Sequence, residues 1–251
     1  VMVSPQLVLH ANASQLAAAA AARLVTKLVD LQSFGRIPSV VLTGGTIGIE
    51  MLASINASPA RDAIDWSRVD FYWGDERFVP ADSPDRNEKQ ARQALLDHVP
   101  VNPDRVHAMA SSDGKYGDDL DAAAAAYSDL VDHCNGFDIT MLGLGPDGHV
   151  ASVFPKNPGV YETRPAFGVR NSPKPPPLRI SLSLPTIRTS DEVWIITAGS
   201  SKADAVALAL GGAGEIAIPA AGATGIKRTL WMLDREAAVR LPSSVLRAPV
   251  S

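Results

Sequence analysis

Ile139-Thr140-Met141-Leu142-Gly143-Leu144-Gly145-Pro146-Asp147-Gly148-His149 is the stretch whose reading decides the fold. Its first four residues form a short, non-alternating run of the kind expected for a strand buried on both faces, and the glycines after it force a loop. The pattern recurs along the chain. Runs at 40–42, 69–73 and 193–197 lead into Thr43-Gly44-Gly45-Thr46, Gly74-Asp75-Glu76-Arg77 and Gly199-Ser200-Ser201-Lys202, and a fifth run spans 230–233. Helical segments lie between them. The alanine runs at 17–22 and 122–126 are flanked by Leu, Val or Tyr at helical spacing, and a further helix is expected over 47–55. Asn12 or Ser14 can cap the first helix, and Gly35 followed by Pro38 stops it. Strands alternating with helices predict an α/β fold: a mostly parallel twisted sheet with helices on both faces. In such sheets ligands bind beyond the carboxyl ends of the strands, where the four glycine-bearing loops meet.

The chain has 251 residues, enough for one or two domains. Residues 172–177 hold four prolines, which exclude a helix or a central strand. Strand-like sequence resumes at once with Leu178-Arg179-Ile180-Ser181-Leu182, so this is expected to be a rigid loop inside a single α/β domain over residues 1–251. A formal net charge of −4 argues against a nucleic-acid-binding surface. The lone Cys134 excludes an intrachain disulfide and a cysteine-rich metal site. No run of eighteen apolar residues and no signal-peptide pattern is present, so the expectation is a cytoplasmic protein without membrane association.

The loops allow distinct chemistries. Gly44-Gly45-Thr46 before a helix permits backbone N–H groups to approach an anion, although a tight turn explains the same glycines. The spacing and lysine of a P-loop are missing. In Gly74-Asp75-Glu76-Arg77, acidic side chains beside an arginine fork can orient a hydroxyl and bind phosphate, or form only a solvated turn with an internal ion pair. Gly143 to Gly148 matches a dinucleotide GxGxxG, but Asp147 stands where backbone donors should face a pyrophosphate, and Pro146 removes one donor. His149 is a candidate general base with Asp147 to orient it, whereas His10, His98, His107 and His133 lack a comparable loop context. No GxSxG elbow, HExxH or metal-spaced carboxylate cluster occurs, so neither a catalytic metal nor a cofactor is expected.

Together these loops resemble the 6-phosphogluconolactonases, which share a superfamily with the glucosamine-6-phosphate deaminases. The resemblance rests on Gly143 through Pro155 and on Trp73-Gly74-Asp75-Glu76-Arg77-Phe78-Val79-Pro80 followed by Asn87. Pro173-Lys174-Pro175-Pro176 leading into Arg179-Ile180-Ser181-Leu182, Gly199 with Lys202, and Trp231-Met232-Leu233-Asp234 extend it over essentially the whole chain. One departure is Thr43-Gly44-Gly45-Thr46-Ile47-Gly48, where the family usually reads Ser-Gly-Gly-Ser-Thr-Pro. The resemblance implies hydrolysis of 6-phospho-D-glucono-1,5-lactone in the pentose phosphate pathway by a monomer or weak homo-oligomer. It implies His149 as general base and then acid, Asp147 as its orienter, and Asp75 with Arg77 positioning the sugar. Gly44, Gly45, Thr46, Arg179 and Lys202 would hold the phosphate.

Two rivals are set against that reading. The deaminase loop places a glutamate before its proline, where this chain has Phe154, a residue unable to donate or accept a proton. A non-catalytic sugar-phosphate sensor would be expected to lose His149 or the Asp75–Arg77 pair and often to carry a basic DNA-binding helix, and none of these features is seen.

Overall fold

The computed structural model describes residues 4–246. Its elements run β1 (Gln6–His10), α1 (Ala13–Ser33), β2 (Ser39–Leu42), α2 (Thr46–Ala57), β3 (Asp70–Trp73), β4 (Asp75–Arg77), α3 (Asn87–Ala94), α4 (Leu120–Asp132) and β5 (Ile139–Leu142). They continue with β6 (Ala166–Val169), β7 (Arg179–Leu182), α5 (Leu184–Ile187), β8 (Glu192–Thr197), α6 (Ala203–Leu210), β9 (Arg228–Asp234) and α7 (Ser243–Leu246). Six strands form a wholly parallel sheet in the order β1-β9-β8-β5-β2-β3. All five expected strands lie in it within one or two residues of their expected ends, and β1 joins them at one edge.

The helices form for the reasons their sequences suggest. Asn12 caps α1 by accepting a hydrogen bond from the Gln15 N–H, and the helix buries Leu16, Ala20, Leu24, Leu28 and Leu31 along one stripe. Each such leucine is worth ~1.5–3 kcal/mol of transfer free energy. The alanines between them let α1 pack closely on α2 and the sheet. Helix α2 starts at Thr46, one residue before the expected start, with Gly45 as its cap at φ +81°.

The sheet order places the site. From β2 the chain steps outward to β3, then returns to the other flank of β2 through β5. The order therefore reverses between β2 and β5, and the loops after them diverge to leave a crevice at their carboxyl ends. Thr43 Oγ1 bridges the two loops by accepting a hydrogen bond from Gly143 N–H at 3.1 Å.

A second sheet departs from the expectation. Asp75–Arg77, read from sequence as a loop, is strand β4, and it pairs antiparallel with β7, which pairs antiparallel with β6. Gly74 joins the two sheets: its N–H donates to the Leu42 carbonyl and its carbonyl accepts from Leu182 N–H. Three charged residues are poor strand formers in isolation. Here partners supplied by β7 and α3 override propensity.

Candidate active site

Strand pleating sorts the charged triplet. Asp75 and Arg77 point to one side and line the crevice, while Glu76 points to the other. Glu76 is buried and accepts the N–H groups of Arg77, Asn87 and Glu88, so it anchors the first turn of α3. Burial pushes its pKa up to about 7 against the pull of Arg86, 3.8 Å away, and of those backbone donors. Its position marks a structural carboxyl.

The crevice, about 170 Å³, brings together Gly44, Gly45, Asp75, Arg77, His149, Arg179 and Lys202. Two residues of the expected set sit differently. Asp147 stands behind His149, and Thr46 faces an adjoining cavity of about 390 Å³ that shares Gly44, Gly45 and Lys202 with the crevice. Asn87 and Lys174 also line the crevice, although the sequence assigns neither a role there. The proline-rich context of Lys174 and the α3 start at Asn87 carry no local mark of the side chain's direction.

The His149 ring is fixed from three sides. Its Nδ1 lies 2.5 Å from Asp147 Oδ1, the Phe154 ring packs 4.6 Å away, and Gly145 lies so close that a Cβ there would overlap the imidazole. Partial burial works to raise the Asp147 pKa, but the hydrogen bond from His149, its charge and the backbone N–H of His149 hold it down at about 2. An ionised carboxylate at Nδ1 assigns the proton to that nitrogen and leaves the Nε2 lone pair free to accept one.

Asp75 is held almost as firmly. Its Oδ2 accepts the Ser152 hydroxyl at 2.6 Å and lies 3.8 Å from Arg179 Nη1, while its main-chain carbonyl accepts from Asn87 Nδ2. Asn87 in turn crowds Gly44 so closely that a Cβ at 44 would overlap its amide. Arg77 donates through Nη1 to the Asp85 carbonyl at 2.6 Å. Arg179 is buried, and its Nε and Nη2 donate to the carbonyls of Pro176, Lys174 and Pro175. Burial lowers its pKa and Arg77 lowers it further, while Asp75 acts in the opposite sense. Lys202 is lowered as well, first by burial and then by the charge of Lys174. Among the described residues, four cations, Arg77, Lys174, Arg179 and Lys202, thus face a crevice in which Asp75 is the one lining carboxylate. Such a surplus suits an anion.

A histidine–carboxylate pair beside a surplus of cations suits an enzyme acting on an anionic substrate, and comparison with known proteins identifies the family. The model of the family described as glucosamine-6-phosphate isomerases/6-phosphogluconolactonase matches residues 11–231, and the chain belongs to that family. A 6-phosphogluconolactonase of Streptomyces coelicolor is 58% identical over 252 residues, covering 96% of this chain and 97% of that protein. One of Mycobacterium tuberculosis is 47% identical over 249 residues, covering 96% and 100%. Among solved structures, a 6-phosphogluconolactonase of Trypanosoma brucei superposes with a TM-score of 0.78 at 27% identity, over 95% of this chain and 99% of that one. A monomeric glucosamine-6-phosphate deaminase also reaches 0.78, at 18% identity, over 94% and 99%. That likeness concerns the fold alone. The expected resemblance to the lactonases agrees with these relatives. No helix among the described residues is long and apolar enough to cross a membrane.

Proposed function

We propose that this chain is a 6-phosphogluconolactonase that hydrolyses 6-phospho-D-glucono-1,5-lactone to 6-phosphogluconate in the pentose phosphate pathway. The observation that carries the reading is an imidazole whose Nδ1 meets the Asp147 carboxylate, in the same crevice as four cations that outnumber their one lining carboxylate. The first suits water activation, the second a phosphorylated substrate.

In this mechanism Nε2 of His149 takes a proton from water as the water oxygen attacks the lactone carbonyl carbon. The carbonyl π pair moves onto oxygen, giving a tetrahedral oxyanion. When the carbonyl re-forms, the bond to the ring oxygen breaks, and the His149 imidazolium returns its proton to that oxygen. The products are a carboxyl group and a free hydroxyl. Asp147 keeps the imidazole in one tautomer and balances its transient charge. Asp75 and Arg77 position the sugar, and Arg77 offsets charge near the carbonyl. Gly44, Gly45 and Thr46, at the amino end of α2, hold the phosphate with Arg179 and Lys202. Residues 1–251 act as one domain in this reading, because the parallel sheet supplies His149 and Lys202 while the small sheet supplies Asp75, Arg77 and Arg179. Residues 1–3 and 247–251 of that range lie outside the described residues.

Phe154 weighs against the deaminase alternative. Where the deaminase loop has a glutamate, this chain packs an apolar ring on the catalytic imidazole. The deciding experiment measures lactone hydrolysis at slightly acid pH, where the spontaneous reaction is slow, with and without the protein. A clear excess rate is expected. No excess rate, or robust ammonia release from glucosamine 6-phosphate, would overturn the assignment.

A further inference from the structure

His149 and Asp75 belong to different sheets, the first in the loop after β5 and the second at the start of β4. Acting on one substrate, they need a connection that holds them in register. Just beyond His149 the chain makes a tight turn, closed by a hydrogen bond from Val153 N–H to the Val150 carbonyl at 2.9 Å. Ala151 in that turn has φ +49°, a left-handed conformation that a residue with a Cβ keeps only where its surroundings impose it. The turn delivers the buried Ser152 to the small sheet. Its hydroxyl donates to Asp75 Oδ2 at 2.6 Å, and its N–H donates to Ser181 Oγ at 3.1 Å. Ser181 is the residue opposite Asp75 in the β4–β7 pair, and its own hydroxyl donates to the Leu182 carbonyl at 2.9 Å. Ser152 is thus bonded to both members of that pair, yet it does not itself line the crevice.

We infer that Ser152 is a positioning residue of this site, which sets the orientation of the Asp75 carboxylate relative to His149 without touching substrate. The inference rests on the lactonase reading and deepens it by naming what aligns the sugar-positioning carboxylate with the general base. Pairing with β7 and the bond from Asn87 Nδ2 to the Asp75 carbonyl fix the main chain at 75. They do not fix the carboxylate, because the terminal torsion of an aspartate is broad and nearly two-fold. The short Ser152 bond does, holding Oδ2 on the side of Arg179 Nη1. Oδ1 has only a long contact of 3.4 Å with Asn87 Nδ2, so it keeps the capacity to accept from a sugar hydroxyl. Since Ser152 and His149 share one loop, a shift of the base is passed to Asp75 and the two groups move together. A misplacement of about 1 Å in such a pair can lower a rate ~10²-fold.

The test is a double-mutant cycle over Ser152→Ala and Asp75→Ala, read in kcat/KM on the phosphorylated lactone alongside melting temperature. Ser152→Ala is expected to lower kcat/KM about tenfold, the loss typical of one charge-assisted hydrogen bond. The same factor should appear on unphosphorylated lactone, because the sugar is misaligned and not the phosphate. Competition by inorganic phosphate should accordingly be unchanged. In the Asp75→Ala background the serine substitution should cost less than twofold, since Ser152 then has nothing to position. Ser152→Cys, a weaker donor in the same place, should fall between Ser152→Ala and the unmodified enzyme. A kcat/KM for Ser152→Ala within twofold of the unmodified value overturns the inference. So does an equal loss with and without the Asp75 carboxylate, the mark of a residue that serves only the fold. If Ser152→Ala does not fold, the cycle is run with Ser152→Cys against the same two criteria. All these outcomes leave the lactonase reading intact. If the unmodified protein shows no rate above spontaneous hydrolysis, that reading falls and takes this inference with it.

Discussion

Arg77 and Arg179 stand directly opposite one another in the β4–β7 pair, two cations in cross-strand register. Like charges in that relationship destabilise a sheet unless something offsets them. Asp75, 3.8 Å from Arg179 Nη1, contributes one negative charge, and the remaining positive potential opens into the crevice with Lys174 and Lys202. An anion bound in the crevice would offset that repulsion.

Substrate binding should therefore weaken with salt. Screening lengths shorten from ~10 Å at 0.1 M to ~3 Å at 1 M ionic strength, so KM for the phosphorylated lactone should rise several-fold over that range. Steady-state kinetics in sodium chloride check this, and a salt-independent KM would argue against a cationic phosphate site.

His149→Ala should lower kcat by ~10²–10⁴-fold with a much smaller effect on product affinity. Asp147→Asn leaves a neutral amide beside Nδ1 and should also lower kcat, because the tautomer and the transient imidazolium lose their partner. His133→Ala is the matched control. His133 is exposed at the end of α4, and its ring makes a hydrogen bond among the described residues only with the carbonyl of Asp129, so kcat should hold.

Acid titration isolates the Asp147 contribution to stability. Its folded pKa, about 2, lies below the ordinary value of 3.8. A depressed carboxyl stabilises the fold above its unfolded pKa, and that contribution disappears as pH falls through the folded one. The melting-temperature difference between the unmodified protein and Asp147→Asn should be constant above about pH 4 and shrink as the pH approaches 2. A difference that grows toward low pH would contradict the ionised pair.

Arg179→Ala and Lys202→Ala should separate structure from binding. Both should raise KM, since each removes a cation from the site. Arg179→Ala also strips donors from three loop carbonyls and leaves Asp75 without its nearest cation, so its melting temperature should fall on the order of 5 °C. Lys202 makes no hydrogen bond through its side chain among the described residues, and its replacement should leave the melting temperature nearly unchanged. Thermal denaturation followed by circular dichroism distinguishes the two.

Gly44→Ala should be severely damaging, because the new methyl would occupy the space of the Asn87 amide. Neither group can yield freely: Gly44 lies between β2 and α2, and Asn87 is tied to Asp75. Asn87→Ala alone should weaken activity by loosening Asp75. Combining the two should restore part of the stability lost by Gly44→Ala, a coupling that a double-mutant cycle of melting curves measures directly.

The amino-acid sequence by itself determined the α/β architecture, the proline-rich loop and the pairing of Asp147 with His149, and it narrowed the α1 cap to Asn12 or Ser14. Each depends on residues close in sequence: apolar runs long enough for buried strands, glycines that stop them, a carboxylate two positions from an imidazole. Only the tertiary structure decided the rest. Whether β5 flanks β2 or lies elsewhere is settled by strand pairing and by Thr43 meeting Gly143, 100 residues away, and no local pattern encodes that distance. The charged triplet 75–77 has the composition of a loop, yet pairing with β7 makes it a strand, turns Glu76 away from the crevice and sets Arg77 against Arg179. Lys174 reaches the site because Arg179 binds main-chain carbonyls around it. Those groups are the same whatever side chain they carry, so the sequence bears no trace of the contact until the chain is folded.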